Sequence, residues 1–197
     1  MRLDCSHFQL DLNSLWSKVS RSALDANFRS AHLQSLRKKI QRQEVGFFDY
    51  PVTITENEIQ SLVTESQRIR RDFDSVLLIG IGGSYLGTAA LMSALPVNEV
   101  PFHWVSNIDT EQIEKAQNFI KNRKPATVVI SKSGNTIETL SAFYHLASSL
   151  DPKGFVFITD AKDGELRRLA GELKAATFAV PSNIGERYSV FKQVDLF

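Results

Sequence analysis

Five short apolar runs constrain this sequence more than any other feature. "SVLLIGI", "FHWVSN", "ATVVIS", "GFVFIT" and "ATFAV" follow one another from Ser75 onwards. Helical patterns of ~10–15 residues separate them. One such pattern places Ile137, Leu140, Phe143, Tyr144 and Ala147 at helix spacing. Strands that are apolar throughout are buried on both faces, and helical connections make neighbouring strands parallel. The expected fold class is therefore α/β: a doubly wound, mostly parallel, five-stranded sheet preceded by N-terminal helices.

The first 50 residues have a different texture, with no glycine before Gly46. "SALDANFRSAHLQSLRKKIQRQ" spaces Leu24, Phe28, Ala31, Leu33 and Leu36 partly as a helix. A helical extension is expected over residues 1–50, and one sheet domain over 51–197. Lys38, Lys39 and Arg42 suit the negative pole of a helix dipole. Nothing aromatic interleaves them, so a solvated helix end is expected there. Gly46 and Pro51 then break the helix. Thr55 and Glu58 have capping-box spacing, and Ile59, Leu62, Val63 and Ile69 give the next helix an apolar face.

Charge and cysteine content narrow the function classes. The formal net charge is +1, so nothing electrostatic favours nucleic acid or an anionic membrane. Any anion must be held locally. Cys5 is the single cysteine, which rules out an internal disulfide and a multi-cysteine metal site. That fits a reducing cytoplasm, and a cytoplasmic location is expected. No apolar run approaches the ~20 residues of a membrane helix. "MRLDCSHFQLDL" has Asp4 and His7 where a signal peptide would have its apolar core.

In open parallel sheets, ligands bind beyond the carboxyl ends of the strands. The loops there read "GIGGSYLG", "SKSGNT" and "PSNIGERYS". The first does not fit a dinucleotide: Tyr85 stands where G-x-G-x-x-G needs glycine, and the second strand ends Val105-Ser106-Asn107 without an acid. No loop carries the G-K-[ST] ending of a nucleotide-triphosphate loop. Neither a dinucleotide nor a nucleoside triphosphate is therefore expected in these loops. What remains is a glycine-rich turn with Ser84 at the start of the next helix, where free N–H groups favour an anion. In the second loop Ser131, Ser133 and Thr136 are short hydroxyl donors suited to a phosphate, and Gly134 lets the backbone bend towards it. Lys132 either adds charge or points to solvent. Asn135-Thr136-Ile137-Glu138 also has N-cap spacing, and one loop can both cap a helix and bind an anion.

"ISKSGNTIETL" resembles the S-x-S-G-x-T loop of sugar-isomerase (SIS) domains. "LLIGIGGSYLGTAAL" is similar to the glycine-rich segment of the bacterial glucose-6-phosphate isomerase family. "GERYSV" resembles that family's G-G-R-Y/F-S segment, and "FFDYPVT" its stretch before the first sheet helix. The likeness runs from about Phe47 to about Val194, with the three loop motifs in the family's order.

The resemblance implies that Gly83 and Ser84 contact a sugar phosphate. It implies that Ser131, Lys132, Ser133, Gly134, Asn135 and Thr136 wrap its phosphate, and that Arg187 lies near the reacting carbons. The implied reaction interconverts glucose 6-phosphate and fructose 6-phosphate through a cis-enediol, without metal or organic cofactor. Two departures stand out. Glu186 replaces the family's second glycine beside Arg187, and the tail "SVFKQVDLF" differs from the family's small, apolar continuation. The family's proton-transferring glutamate, ring-opening histidine and C-terminal lysine come later, in a second sheet domain. They have no counterpart here, and His7, His32, His103 and His145 are not at matching positions. The chain is thus expected to be an N-terminal portion, inactive alone, forming a homodimer or associating with the missing C-terminal half. The alternative is a solitary SIS module that binds or senses a sugar phosphate without converting it.

Overall fold

The structure, a computed structural model, describes residues 2–5, 8–11, 22, 31–42, 44, 46, 53–94 and 100–185. The chain divides into two compact units, 1–45 and 46–197. In the first, β1 (Arg2–Cys5) and β2 (Phe8–Asp11) pair antiparallel, with Arg2 opposite Asp11 and Cys5 opposite Phe8. This differs from the helix expected there. The stretch lacks glycine, but Leu3-Asp4-Cys5 and Phe8-Gln9-Leu10-Asp11 alternate with period two, which suits strands. Helix α1 (Ala31–Gln41) follows, and its final Lys38 and Lys39 are exposed.

In the second unit, α2 (Glu56–Asp72) precedes the sheet. Thr55 Oγ1 accepts from Glu58 N–H at 3.3 Å, and Glu58 Oε2 accepts from Thr55 N–H at 2.8 Å. The sequence-expected capping box is thus formed. Leu62 and Ile69 are buried, whereas Ile59 and Val63 on the same stretch are exposed.

The sheet then builds as β3 (Ser75–Ile79), α3 (Gly83–Ala94), β4 (Phe102–Val105), α4 (Thr110–Lys121), β5 (Pro125–Ile130), α5 (Ile137–Ala147), β6 (Phe155–Thr159), α6 (Glu165–Leu173) and β7 (Ala176–Ala179). All five strands are parallel, in the order β4-β3-β5-β6-β7. Each of the five apolar runs coincides with one of them, β5 starting one residue before its run at Pro125. The fold is α/β with a wholly parallel sheet, as the alternation of strand and helix requires.

Side chains alternate across the strands and fill two layers. On one face Leu77, Ile79, Val129, Phe155 and Phe157 pack with Ala116 and Ile120 of α4, Phe143 and Leu146 of α5, and Leu166 and Leu169 of α6. Phe143 meets Phe155 and Phe157 edge-on at centroid distances of 5.1 and 5.5 Å, an arrangement favoured by the ring quadrupoles. On the other face Leu78, Val128, Ile130, Val156 and Ile158 pack with Ile69 of α2. Tyr85 of α3 meets Trp104 of β4 edge-on on that side. The sheet is therefore wound on both faces.

The strand order fixes where a ligand can sit. From β3 the chain moves outward to β4, then returns to the other side of β3 as β5. The loops leaving β3 and β5 therefore diverge at the carboxyl edge, the switch point of an open α/β sheet, where ligands bind in folds of this kind.

Candidate functional site

The turn after β3 is tight by necessity. Gly80 N–H donates to Val105 O at 3.1 Å. A Cβ on Gly80 would lie 3.1 Å from Ser84 O and 3.4 Å from Ile130 Cβ, so a bare backbone lets α3 start against the end of β5. Gly82 has φ +63°, and Tyr85 and Leu86 N–H both return to its carbonyl at 3.1 Å. Gly83 and Ser84 form the first turn of α3, and Ser84 is buried.

The loop after β5 begins by extending the ladder, with Ser131 N–H donating to Ile158 O at 3.1 Å. Ser131 is 1% exposed, and its Oγ lies 2.8 Å from Thr136 Oγ1 and 3.5 Å from Ser133 Oγ. Three hydroxyls thus meet at the neck of the loop. Ser133 is exposed, and its Oγ accepts from Asn135 N–H at 3.2 Å. Gly134 has φ +69°, and its N–H closes onto Ser131 O at 3.1 Å. A Cβ there would lie 2.8 Å from Thr159 Oγ1.

Thr136 is the N-cap of α5, yet its hydroxyl makes no capping bond and turns to Ser131 instead. The first-turn N–H groups of α5 are therefore not capped by Thr136, and free N–H groups at a helix start attract anions. The expected capping role of this segment falls elsewhere: Asn135 Oδ1 accepts from Glu165 N–H at 2.9 Å and so caps α6.

Lys132 is half-buried and reaches across to the third loop. Its Nζ donates to Ser182 O at 3.0 Å and Ile184 O at 2.8 Å. It ties the loop after β7 to the loop after β5, so all three glycine-bearing loops share the carboxyl edge. The continuation of that third loop, with Glu186 and Arg187, lies outside the described residues.

Sequence reasoning missed the segment after β6. Gly164 has φ +101° and packs against Ser133 and Gly134, and Leu166 N–H donates to Gly134 O at 3.1 Å. The Asp163-Gly164 pair is a turn signal that points to this position.

Charges around that segment are locally paired. Arg168 beside Glu165, aided by the Tyr144 hydroxyl at 2.5 Å, holds the Glu165 carboxyl at about 2. Backbone N–H groups of Lys162 and Asp163 lower the Asp160 carboxyl. Burial, then Lys115, lowers the His103 imidazole, whose ring stacks on Phe119 at 5.4 Å. A depressed carboxylate stabilises the fold above its unfolded value, and that contribution is lost as pH falls through the folded value. The start of α6 should therefore loosen progressively between the ordinary glutamate range and about pH 2. Glu165→Gln should flatten this response, which amide exchange at Leu166 measures.

Among the described residues, no cluster of three or more His, Cys, Asp or Glu is placed to hold a metal, and no helix is long and apolar enough to cross a membrane.

Residues 63–196 match the sequence pattern of the phosphoglucose isomerase family. The chain is 37% identical over 187 residues to the glucose-6-phosphate isomerase of Carboxydothermus hydrogenoformans, covering 86% of this chain and 40% of that relative. It is 35% identical over 170 residues to that of Parabacteroides distasonis, covering 77% and 38%. The crystal structure of a hypothetical protein from Thermus thermophilus superposes with a TM-score of 0.70 at 27% identity, over 94% of this chain and 43% of that one. A glucose-6-phosphate isomerase from Chlamydia trachomatis superposes at 0.61 with 25% identity, over 71% and 28%. The chain thus spans about 40% of the length of the curated relatives it matches. On the strength of the family match over 63–196, the chain belongs to the phosphoglucose isomerase family.

Proposed function

We propose that this chain is the phosphate-gripping, N-terminal portion of a glucose-6-phosphate isomerase. The observation that carries the reading is the loop of residues 131–136. It gathers the hydroxyls of Ser133 and Thr136 around that of Ser131, beside a helix N-terminus that Thr136 does not cap, at the switch point of the sheet. Ser133 and Thr136 hydroxyls and the first-turn N–H groups of α5 face a phosphate monoester, with Gly83 and Ser84 on the opposite wall. Lys132 serves the grip indirectly, by holding the third loop in place.

In this reading the sugar ring opens, a base moves a proton between C2 and C1, and a cis-enediol forms. Arg187 stabilises the enediolate, because a fixed positive charge in a site shielded from water offsets the developing negative charge. No metal or organic cofactor takes part. The proposed domain division is an N-terminal extension over 1–50, which opens on the β1–β2 hairpin, and an SIS-like domain over 51–197. The protein works in the cytoplasm, as a homodimer or with a second, C-terminal portion that supplies the base. A second reading, a sugar-phosphate-binding SIS module without catalysis, rests on the same hydroxyl loop, whose donors address a phosphate whether or not a base stands beside it.

Titration calorimetry tests the grip. Glucose 6-phosphate and fructose 6-phosphate should bind, and glucose should give no measurable heat. Equal affinity for glucose and its phosphate would overturn the reading.

A further inference from the structure

We propose that the turn of residues 160–165, which carries none of the assigned ligand-binding residues, sets the shape of the hydroxyl loop and hence its affinity for a phosphate monoester. This rests on the reading above and adds a positioning element to it.

Gly164 has φ +101° and ψ 157°, a region open essentially to glycine alone. Space imposes the same choice independently. A Cβ there would overlap Ser133 O and lie 3.0 Å from Gly134 Cα. Gly134, at φ +69°, approaches from the other side, its own virtual Cβ 3.2 Å from Gly164 Cα. Two backbones therefore touch where neither tolerates a side chain. Two further bonds cross the same seam: Glu165 N–H to Asn135 Oδ1 at 2.9 Å, and Leu166 N–H to Gly134 O at 3.1 Å. The free donors at the start of α6 are thus directed to the loop rather than to a ligand.

The turn is itself rigidly built. Asp160 Oδ1 accepts from Lys162 N–H at 2.8 Å and from Asp163 N–H at 3.1 Å. Arg167 Nε and Nη2 donate to Asp160 O at 2.8 and 2.7 Å, and Arg167 Nη1 donates to Thr177 Oγ1. The frame runs from β7 through Arg167 and Asp160 to Gly164, and from there to the loop. Supporting residues whose own conformations are locked determine how well a site is preorganised.

The test compares Gly164→Ala with Gly171→Ala, a glycine within α6, the helix that Gly164 precedes, whose Cβ would meet nothing within 4 Å. Gly164→Ala should shift the backbone amide resonances of residues 131–136 in the ligand-free protein. It should also weaken glucose 6-phosphate binding by about 10-fold or more, the equivalent of one hydrogen bond to a charged group. Gly171→Ala should leave both unchanged. Asp160→Ala should act like Gly164→Ala, and Asp160→Asn, which keeps an acceptor oxygen, should behave as wild type. Wild-type loop resonances and affinity in Gly164→Ala would overturn the inference. If Gly164→Ala does not fold, the Asp160 pair decides: identical loop resonances in Asp160→Ala and Asp160→Asn overturn it. If the wild-type chain binds no glucose 6-phosphate, the reading of the site fails, while the ligand-free resonances still decide whether the turn shapes the loop.

Discussion

Replacing Ser133 and Thr136 together by alanine should lower the affinity for glucose 6-phosphate by at least about 100-fold, because hydrogen bonds to a charged group contribute ~1.5–3 kcal/mol each. Two such bonds would amount to ~3–6 kcal/mol if independent. They are not independent, since both hydroxyls touch Ser131 Oγ, so the double mutant should fall short of the sum of the singles. The singles should differ in kind. Thr136→Ala removes the 2.8 Å partner of Ser131, a residue 1% exposed, and leaves it only a 3.5 Å contact with Ser133. Leaving a buried hydroxyl poorly paired costs ~1–3 kcal/mol, so this variant should lose thermal stability as well as affinity. Ser133 is exposed, and Ser133→Ala should lose affinity with little change in stability. Thr136→Ser, which keeps the hydroxyl, should restore both. Calorimetry and a thermal melt read out the series. A double mutant with wild-type affinity would place the phosphate elsewhere.

How far the sequence discloses this site depends on the range of the interactions. The strands are local and legible: each of "SVLLI", "FHWV", "ATVVI", "FVFIT" and "ATFA" carries its own apolar or β-branched signal. The capping box of α2 is legible for the same reason, because Thr55 and Glu58 are three residues apart. So is the placement of the three loops at the carboxyl edge, which follows from strand direction. What is not legible depends on partners far along the chain. Asn135 reads as an N-cap for its own helix but caps one that starts 30 residues later. Lys132 reads as a free cation but binds carbonyls 50 and 52 residues away. Gly164 reads as a turn glycine, and only the fold brings it against Gly134. The N-terminal hairpin failed for another reason. Over eleven residues a period-two pattern and a helical one are hard to separate, and the missing glycine tilted the reading towards helix. Arg187 is legible only through resemblance, and it lies outside the described residues.

The 197-residue chain assayed by itself should convert glucose 6-phosphate to fructose 6-phosphate at no detectable rate. Isomerisation needs a base whose proton affinity suits neutral pH, and absence of one forfeits ~10²–10⁴-fold in rate. Glu138, exposed on the first turn of α5, is the carboxylate that the variants below test; four other groups are poorly suited. Glu165 bonds to the loop through its backbone, but Arg168 and Tyr144 hold its carboxyl at about 2, so it accepts a proton weakly. Asp160 is lowered as well, by two backbone donors. His145 sits in the last turn of α5, whose first turn adjoins the loop, and an eleven-residue helix puts ~15 Å between its ends. His103 is stacked on Phe119 from within β4, and burial favours its neutral form, but it does not belong to the loops. A coupled assay for fructose 6-phosphate, run with and without the C-terminal portion of the Carboxydothermus relative, tests this. Turnover only on mixing supports a divided isomerase. Turnover by the chain alone, lost in Arg187→Ala and in Glu138→Gln, would place the base on the first turn of α5 and overturn the expectation. No turnover in either case, with glucose 6-phosphate still bound, would establish the non-catalytic binding module instead.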